Sequence, residues 1–232
     1  MEALLFAQVP YPQAGWLSYV VGDRRAGVCA VIDPLLPLDP IEGLLRQAPA
    51  RVVAVIHTHV PPYERWAGPT LSARTGAPLL LPSTCGVSVP HAPLRHSQRI
   101  EVGALRLQAF VAASCPPGAA LFLQGHDKLL SGRTLLIGST APPAASADGP
   151  QDLFVALQEL RRSVPEHAEV YPAMFGPRFG LPDVRLTTLS HQCVGNPALA
   201  APDAAALVAA CGVSWGRMTT GDPAVLAANR TG

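Results

Sequence analysis

The run Arg51 to Ile56 (RVVAVI) is apolar and β-branched enough to predict a buried strand, and it ends directly on His57-Thr58-His59. Ahead of it, Asp39 to Gln47 sets Leu44 and Leu45 among polar positions and predicts a helix, so the chain carries a β-α-β unit that terminates in histidines. Upstream, Trp16 to Val21 and Val28 to Ile32 flank the turn sequence Gly22-Asp23-Arg24-Arg25-Ala26-Gly27 and predict a hairpin, opening the chain with antiparallel sheet. Downstream, Gly68 to Thr75 predicts a helix. Pro78 to Leu81, Arg106 to Val111, Ala120 to Leu123 and Thr134 to Ile137 predict short strands. Asp152 to Val164 is the strongest helix, with Leu153, Leu157 and Leu160 on one face and Arg161 and Arg162 at the C-terminal end that the helix dipole favours for cations; Glu169 to Tyr171 follows as a strand. Two halves that each run from strands into helix predict a layered α/β (α+β) domain spanning 1–232, with two sheets inside and helices outside.

Composition narrows the function. Hydrophobic residues make up 49% and charged residues 14%, which demands a large buried interior. A formal net charge of +1 without any basic run excludes the electrostatic footprint of a nucleic-acid or anionic-membrane partner. The start MEALLFAQVP has no basic n-region, and no apolar run reaches the roughly 20 residues of a spanning helix, so a cytoplasmic protein is expected. Five scattered cysteines without a C-x-x-C pair read as reduced thiols. The Ala-, Pro- and Ser-rich segment Ser139 to Pro150 is the expected mobile loop.

Histidines at i and i+2 at a strand end project to one face, the way a sheet edge presents metal ligands, so His57 and His59 raise a metal hypothesis. The other histidines carry less. His91 and His96 lie in a Pro-rich stretch, His126-Asp127 in a Gly-flanked hairpin turn, and His167 after a helix end. His191 and Cys193 share a predicted helix.

Several separated pieces, taken in order, make the chain resemble the metallo-β-lactamase superfamily and, within it, the persulfide dioxygenases and glyoxalase II-like hydrolases. They are Ala30-Val31-Ile32-Asp33-Pro34, Thr58-His59-Val60, Pro117-Gly118, Val170-Tyr171-Pro172, Asn196-Pro197 and the closing Ala227-Ala228-Asn229-Arg230. The resemblance implies a four-layer αββα sandwich of two mixed β-sheets, with the site at one edge between the sheets and a possible homodimer.

The departures from that pattern are as informative as the match. With Thr58-His59-Val60 in register with the family's Thr-His-x-His-x-Asp-His motif, Pro61 stands at the second histidine, Tyr63 at the aspartate and Glu64 at the last histidine. Cys115 replaces the histidine before Pro-Gly, Arg133 the aspartate after a Gly, and Met174 the histidine of Tyr-Pro-Gly-His. An always-protonated guanidinium repels a cation, so Arg133 is expected to stand in for the metal and to pair with Glu64. The site is then a former metal pocket lined by His57, His59, Tyr63, Glu64, Cys115, Arg133 and Met174. No metal or cofactor is expected, and the protein is expected to be non-catalytic, its partner an unidentified small molecule or protein. Three alternatives stand beside it: a rebuilt zinc or iron site from His57, His59, Glu64 and Cys115 in a hydrolase, Cys115 as a reactive thiol in a sulfur-handling enzyme, and a structural subunit of an active relative.

Overall fold

The computed structural model describes residues 3–62, 64–113, 118–215 and 223–231. Twelve strands and seven α-helices are found among them. The first sheet holds β1 (Leu4–Tyr11), β2 (Trp16–Asp23), β3 (Val28–Ile32), β4 (Arg51–Ile56), β5 (Leu79–Pro82) and β6 (Ala92–Leu94), in that order. Its first three strands are antiparallel and from β3 onward they run parallel, with α1 (Asp39–Gln47) crossing from β3 to β4 and α2 (Gly68–Thr75) from β4 to β5. The second sheet holds β7 (Arg99–Val102), β8 (Leu105–Val111), β9 (Ala119–Leu123), β10 (Lys128–Gly132), β11 (Glu169–Pro172) and β12 (Thr187–Thr188). Only β10 and β11, joined through α3 (Gly149–Ser163), are parallel. The helices α4 (Leu189–Gly195), α5 (Pro197–Ala200), α6 (Ala204–Trp215) and α7 (Pro223–Thr231) close the chain.

The period of two along each strand builds the layers. Leu17, Tyr19 and Val21 of β2, Ala30 and Ile32 of β3, and Ala54 and Ile56 of β4 meet Leu107, Ala109, Leu121, Leu123 and Leu130 of the second sheet in an inner core. The alternate residues Val20, Val31 and Val55 face the other way and join the helix residues Ile41, Leu71, Leu153, Leu157 and Leu160 in a second core. Helices thus cover the outer faces of two packed mixed sheets, the αββα order expected from the sequence. None of the described helices is long and apolar enough to cross a membrane.

Three local expectations change. The strand expected at Thr134 to Ile137 is a buried turn, with Leu136 bridged to Ser139, and the strand lies just upstream at Lys128–Gly132; Gly132, at φ +57°, ends it. The Leu4–Tyr11 strand was not expected. It contains Pro10 and pairs only with β2, as befits an edge strand. The start of the segment expected to be loosest is firmly held: Ser139, Thr140 and Ala141 are buried, and Thr140 donates to the Thr134 carbonyl while its own carbonyl accepts from the Trp215 indole.

Candidate functional site

The chain leaves β4 at Ile56 into the segment 57–67, at the edge where the ends of β3, β4, β10 and β11 and the start of β9 converge. Asp33, one residue past β3 and at φ +51°, turns a buried carboxylate onto this segment. Its Oδ1 accepts from the Thr58 backbone N–H and its Oδ2 from the Thr58 hydroxyl, both at 2.7 Å. Because that hydroxyl spends its one proton on the carboxylate, the 2.7 Å contact to His59 Nδ1 has to be donated by the imidazole. His59 is therefore held as the Nδ1–H tautomer. Its Nε2 lone pair is buried and has no hydrogen-bond partner among the described residues.

Electrostatics reinforces this state. Burial drives the pKa of His59 down to about 3; Asp33 opposes that shift, while the positive charge of Arg133 adds to it. Burial acts to raise Asp33, but contact with His57 and His59 and the Thr58 bonds outweigh it, so its pKa lies below the ordinary carboxylate value. His57 Nδ1 stands 3.5 Å from Asp33 Oδ1, and neither of its nitrogens has a well-formed hydrogen bond among the described residues. Its ring meets Trp66 edge-on at 4.9 Å and lies under Gly68, where an added Cβ would fall 2.6 Å from His57 Cδ2.

The second sheet completes the edge. Ala119 N–H donates to the Thr58 carbonyl at 2.7 Å, and Gly118, at φ +94°, leaves room for that approach: a Cβ there would sit 2.2 Å from the same oxygen. Trp16 packs its ring 5.2 Å from His59 and bridges Met174 through the backbone, and its indole N–H is buried without a partner among the described residues. Arg133 is buried, following Gly132 at the end of β10.

Of the seven residues expected to line a former metal pocket, the structure brings His57, His59, Arg133 and Met174 to one buried edge. Tyr63 and Cys115 lie outside the described residues. Glu64 departs from the sequence reading: its Oε1 bonds Arg178 Nη1 at 2.6 Å, and Arg178 is its ion-pair partner among the described residues. The same Arg178 Nη1 reaches the carbonyl of Ala14 at 3.1 Å, so Glu64 fastens the 11–15 turn. An open cleft of about 530 Å³ between that turn and Leu36–Pro40 has Glu64 on its rim. Elsewhere, His91 is exposed, His96 pairs with Glu159, and His167 bonds Asp127.

Sequence reasoning missed Asp33 and Thr58 as site residues, and Trp16, Trp66, Arg178 and Asn229 altogether as neighbours of the site. For Asp33 a signal existed, since Asp-Pro directly after a buried strand places a carboxylate at the strand's C-terminal end.

The described residues do not by themselves make up a metal site. His59 offers one lone pair of the right tautomer, but Arg133 brings a positive charge to it and Glu64 is turned to Arg178. Among the described residues no group of three or more His, Cys, Asp or Glu side chains is placed to hold a metal ion.

Two mixed sheets between helices, with the end of β4 feeding a His-bearing loop at one edge, define the metallo-β-lactamase fold. Neither a protein-family model nor a curated relative matches the sequence. Solved structures do. A metallo-β-lactamase from Staphylococcus aureus superposes at a TM-score of 0.84 with 16% identity, over 100% of this chain and 74% of that one. ETHE1 from Myxococcus xanthus superposes at 0.81 with 20% identity, over 97% of this chain and 96% of that one. TTHA1623, solved in a di-iron-bound form, superposes at 0.62 with 18% identity, over 83% of this chain and 98% of that one. At these identities the likeness establishes the fold.

Proposed function

We propose that this chain is a non-catalytic protein on the metallo-β-lactamase fold, on the persulfide dioxygenase-like side of that superfamily, which keeps the architecture and works by binding a small molecule or protein. The observation that carries the reading is the buried His59. It is neutral, fixed by Thr58 and Asp33, and accompanied by Arg133 where the resembled enzymes place a metal-binding carboxylate. A guanidinium at that place stabilises a metal-free edge and opposes a divalent cation.

A second reading keeps a metal, and the buried His59 Nε2, which finds no hydrogen-bond partner among the described residues, is what favours it. One experiment decides between them. The purified, untagged chain is incubated with Fe²⁺ or Zn²⁺, desalted and assayed by elemental mass spectrometry. Less than about a tenth of an equivalent supports the metal-free reading, and near-stoichiometric metal that disappears in His59→Ala overturns it.

A further inference from the structure

The loop that follows β11 is tied shut by its own backbone. Gly176 N–H donates to the Pro182 carbonyl at 2.9 Å and Leu181 N–H to the Gly176 carbonyl at 3.1 Å, while Phe175 N–H reaches the Gly15 carbonyl at 3.0 Å. The loop carries two arginines, each set against a buried phenylalanine: the Arg178 guanidinium lies 5.4 Å from the ring centre of Phe179, and that of Arg185 lies 4.5 Å from that of Phe175. A recess of about 170 Å³ is lined by both arginines together with Asp183, Pro12 and Gly15. A guanidinium held against an aromatic face keeps its in-plane N–H fork available, and that fork takes a carboxylate or phosphoryl group bidentately.

The chain leaves most of these donors open. Arg178 commits only Nη1, to Glu64 and to the carbonyls of Gln13 and Ala14, and its Nε and Nη2 find no acceptor among the described residues. The Arg185 guanidinium makes no hydrogen bond or ion pair among them, although Gln8 Nε2 holds its backbone by donating to its carbonyl at 2.9 Å. Asp183 lies on the same recess and is exposed, and it pairs with neither arginine among the described residues. Glu64 offsets the charge of Arg178, so the charge of Arg185 is the one the recess offers to an anion. The recess has room for one oxyanion group. The open cleft of about 530 Å³ shares Pro12 with it and has Glu64, the partner of Arg178, on its rim. Its walls at Pro10, Tyr11, Leu36, Pro37 and Pro40 are apolar, and the prolines bring no N–H donors, which suits an apolar body.

We propose that Arg178 and Arg185 form a recognition site for the carboxylate or phosphoryl group of a small organic anion whose apolar body lies in the adjoining cleft. This rests on the binding role given above, and it names the chemistry of the ligand without calling on the histidines.

The test is titration of the full chain at physiological chloride, followed by ¹H–¹⁵N correlation that includes the arginine Nε–H signals. Benzoate and phenyl phosphate are the probes, with acetate and inorganic phosphate as the same anions without a body. Saturable shifts of the Arg178 and Arg185 Nε–H signals are expected, and whichever aromatic probe binds tighter names the group. The matching bare anion is expected to bind about tenfold more weakly or less. Arg185→Gln is expected to weaken binding by about tenfold or more, the loss of one charge-assisted hydrogen bond, and Arg185→Lys, which keeps the charge and lacks the fork, to recover only part of it. Shifts that do not saturate, equal affinity for bare and aromatic anions, or unchanged affinity in Arg185→Gln overturn the site. Should that variant fail to fold, saturation and the comparison of bare with aromatic anions in the wild type carry the test. Metal content is measured on the same sample. A metal-loaded chain would end the non-catalytic reading while the titration judged the site, and a metal-free chain without saturable binding would end the site alone.

Discussion

Asp33→Asn is the perturbation that tests the site most sharply. Asparagine is nearly isosteric and tolerates the positive φ of 51° better than most residues, so the substitution removes the charge and one acceptor without imposing backbone strain. Its remaining oxygen can keep the Thr58 N–H. Its NH₂ group must instead donate to the Thr58 hydroxyl, which then turns its own proton toward His59 Nδ1 and drives the imidazole to the Nε2–H tautomer. Two hydrogen bonds to a charged acceptor, worth about 1.5–3 kcal/mol each, become neutral ones worth about 0.5–1.5 kcal/mol, a net loss of roughly 2–3 kcal/mol. For a domain of this length that lowers Tm by about 4–12 °C. The assays are thermal denaturation followed by near-UV circular dichroism, and long-range ¹H–¹⁵N correlation of the histidine side chains. A variant whose Tm is unchanged and whose His59 proton stays on Nδ1 would refute the relay from Asp33 through Thr58 to His59. Asp33→Ala, which strands the buried Thr58 N–H and places a Cβ-bearing residue without a local hydrogen bond at φ 51°, should cost more than Asp33→Asn.

Three further outcomes are expected. His59 has its folded pKa depressed to about 3, so the unfolded chain binds a proton that the folded chain refuses; stability from this group is present above about pH 6.5 and is lost as pH falls toward 3, on the order of 4–5 kcal/mol over the whole window. Asp33, also depressed, adds its own loss below about pH 4, and urea midpoints measured between pH 4 and 7 should slope less in His59→Gln than in the wild type. Gly118→Ala drives a Cβ to 2.2 Å from the Thr58 carbonyl at a φ of +94°, and should destabilise the chain by about 2–4 kcal/mol in urea melts; Gly27→Ala, with open space around it, should lose less. Glu64→Gln removes a partly exposed ion pair with Arg178 and should shift Tm by less than about 2 °C. A loss as large as that of Asp33→Asn would show that Glu64 balances a buried charge after all.

What could be read from the sequence follows from how local its causes are. The helices Asp39–Gln47 and Gly68–Thr75 and the strands Val28–Ile32 and Arg51–Ile56 lie where the apolar spacing puts them, since each carries its own periodicity and, for the helices, a proline in the first turn. Leu129-Leu130 and Leu135-Leu136 are equally apolar pairs seven residues apart or less, and only the pairing with β9 and β11 decides that the first is strand and the second a turn. The same holds at the site. His57, His59, Arg133 and Met174 sit at or just past strand ends and so were placed by their elements. The partner of Glu64 is 114 residues away in sequence, and the carbonyl that Asn229 caps at Pro61 is 168 residues away. Neither contact has a local signature, and an arginine at a former ligand position looked a better partner for Glu64 than one on a distant 3₁₀ turn.

A metal bound between loops of two sheets would be a cross-link whose binding energy is also folding energy. Here backbone bonds and one relay supply the tie. The Asp33 carboxylate joins the end of β3 to Thr58 past β4, and the Thr58 carbonyl takes the Ala119 N–H across to the second sheet. Gly132 accepts from Ala173 at 2.9 Å, Ala173 from Leu17 at 2.9 Å, and Gly15 from Phe175 at 3.0 Å, returning the link to β2 and the turn before it. Thr58 is the hub, because its N–H and hydroxyl are both committed to the Asp33 carboxylate at the end of β3 and its carbonyl to the Ala119 N–H of the second sheet. His59 then needs no metal to fix its orientation: the hydroxyl sets its tautomer, Trp16 covers its ring, and burial beside Arg133 keeps it neutral. The loop after His59 is fastened separately: Ala67 N–H donates to the Pro34 carbonyl at 2.8 Å, Leu36 N–H to the Arg65 carbonyl at 3.1 Å, and Asn229 Nδ2 to the carbonyls of Pro61 and Glu64 at 2.8 Å.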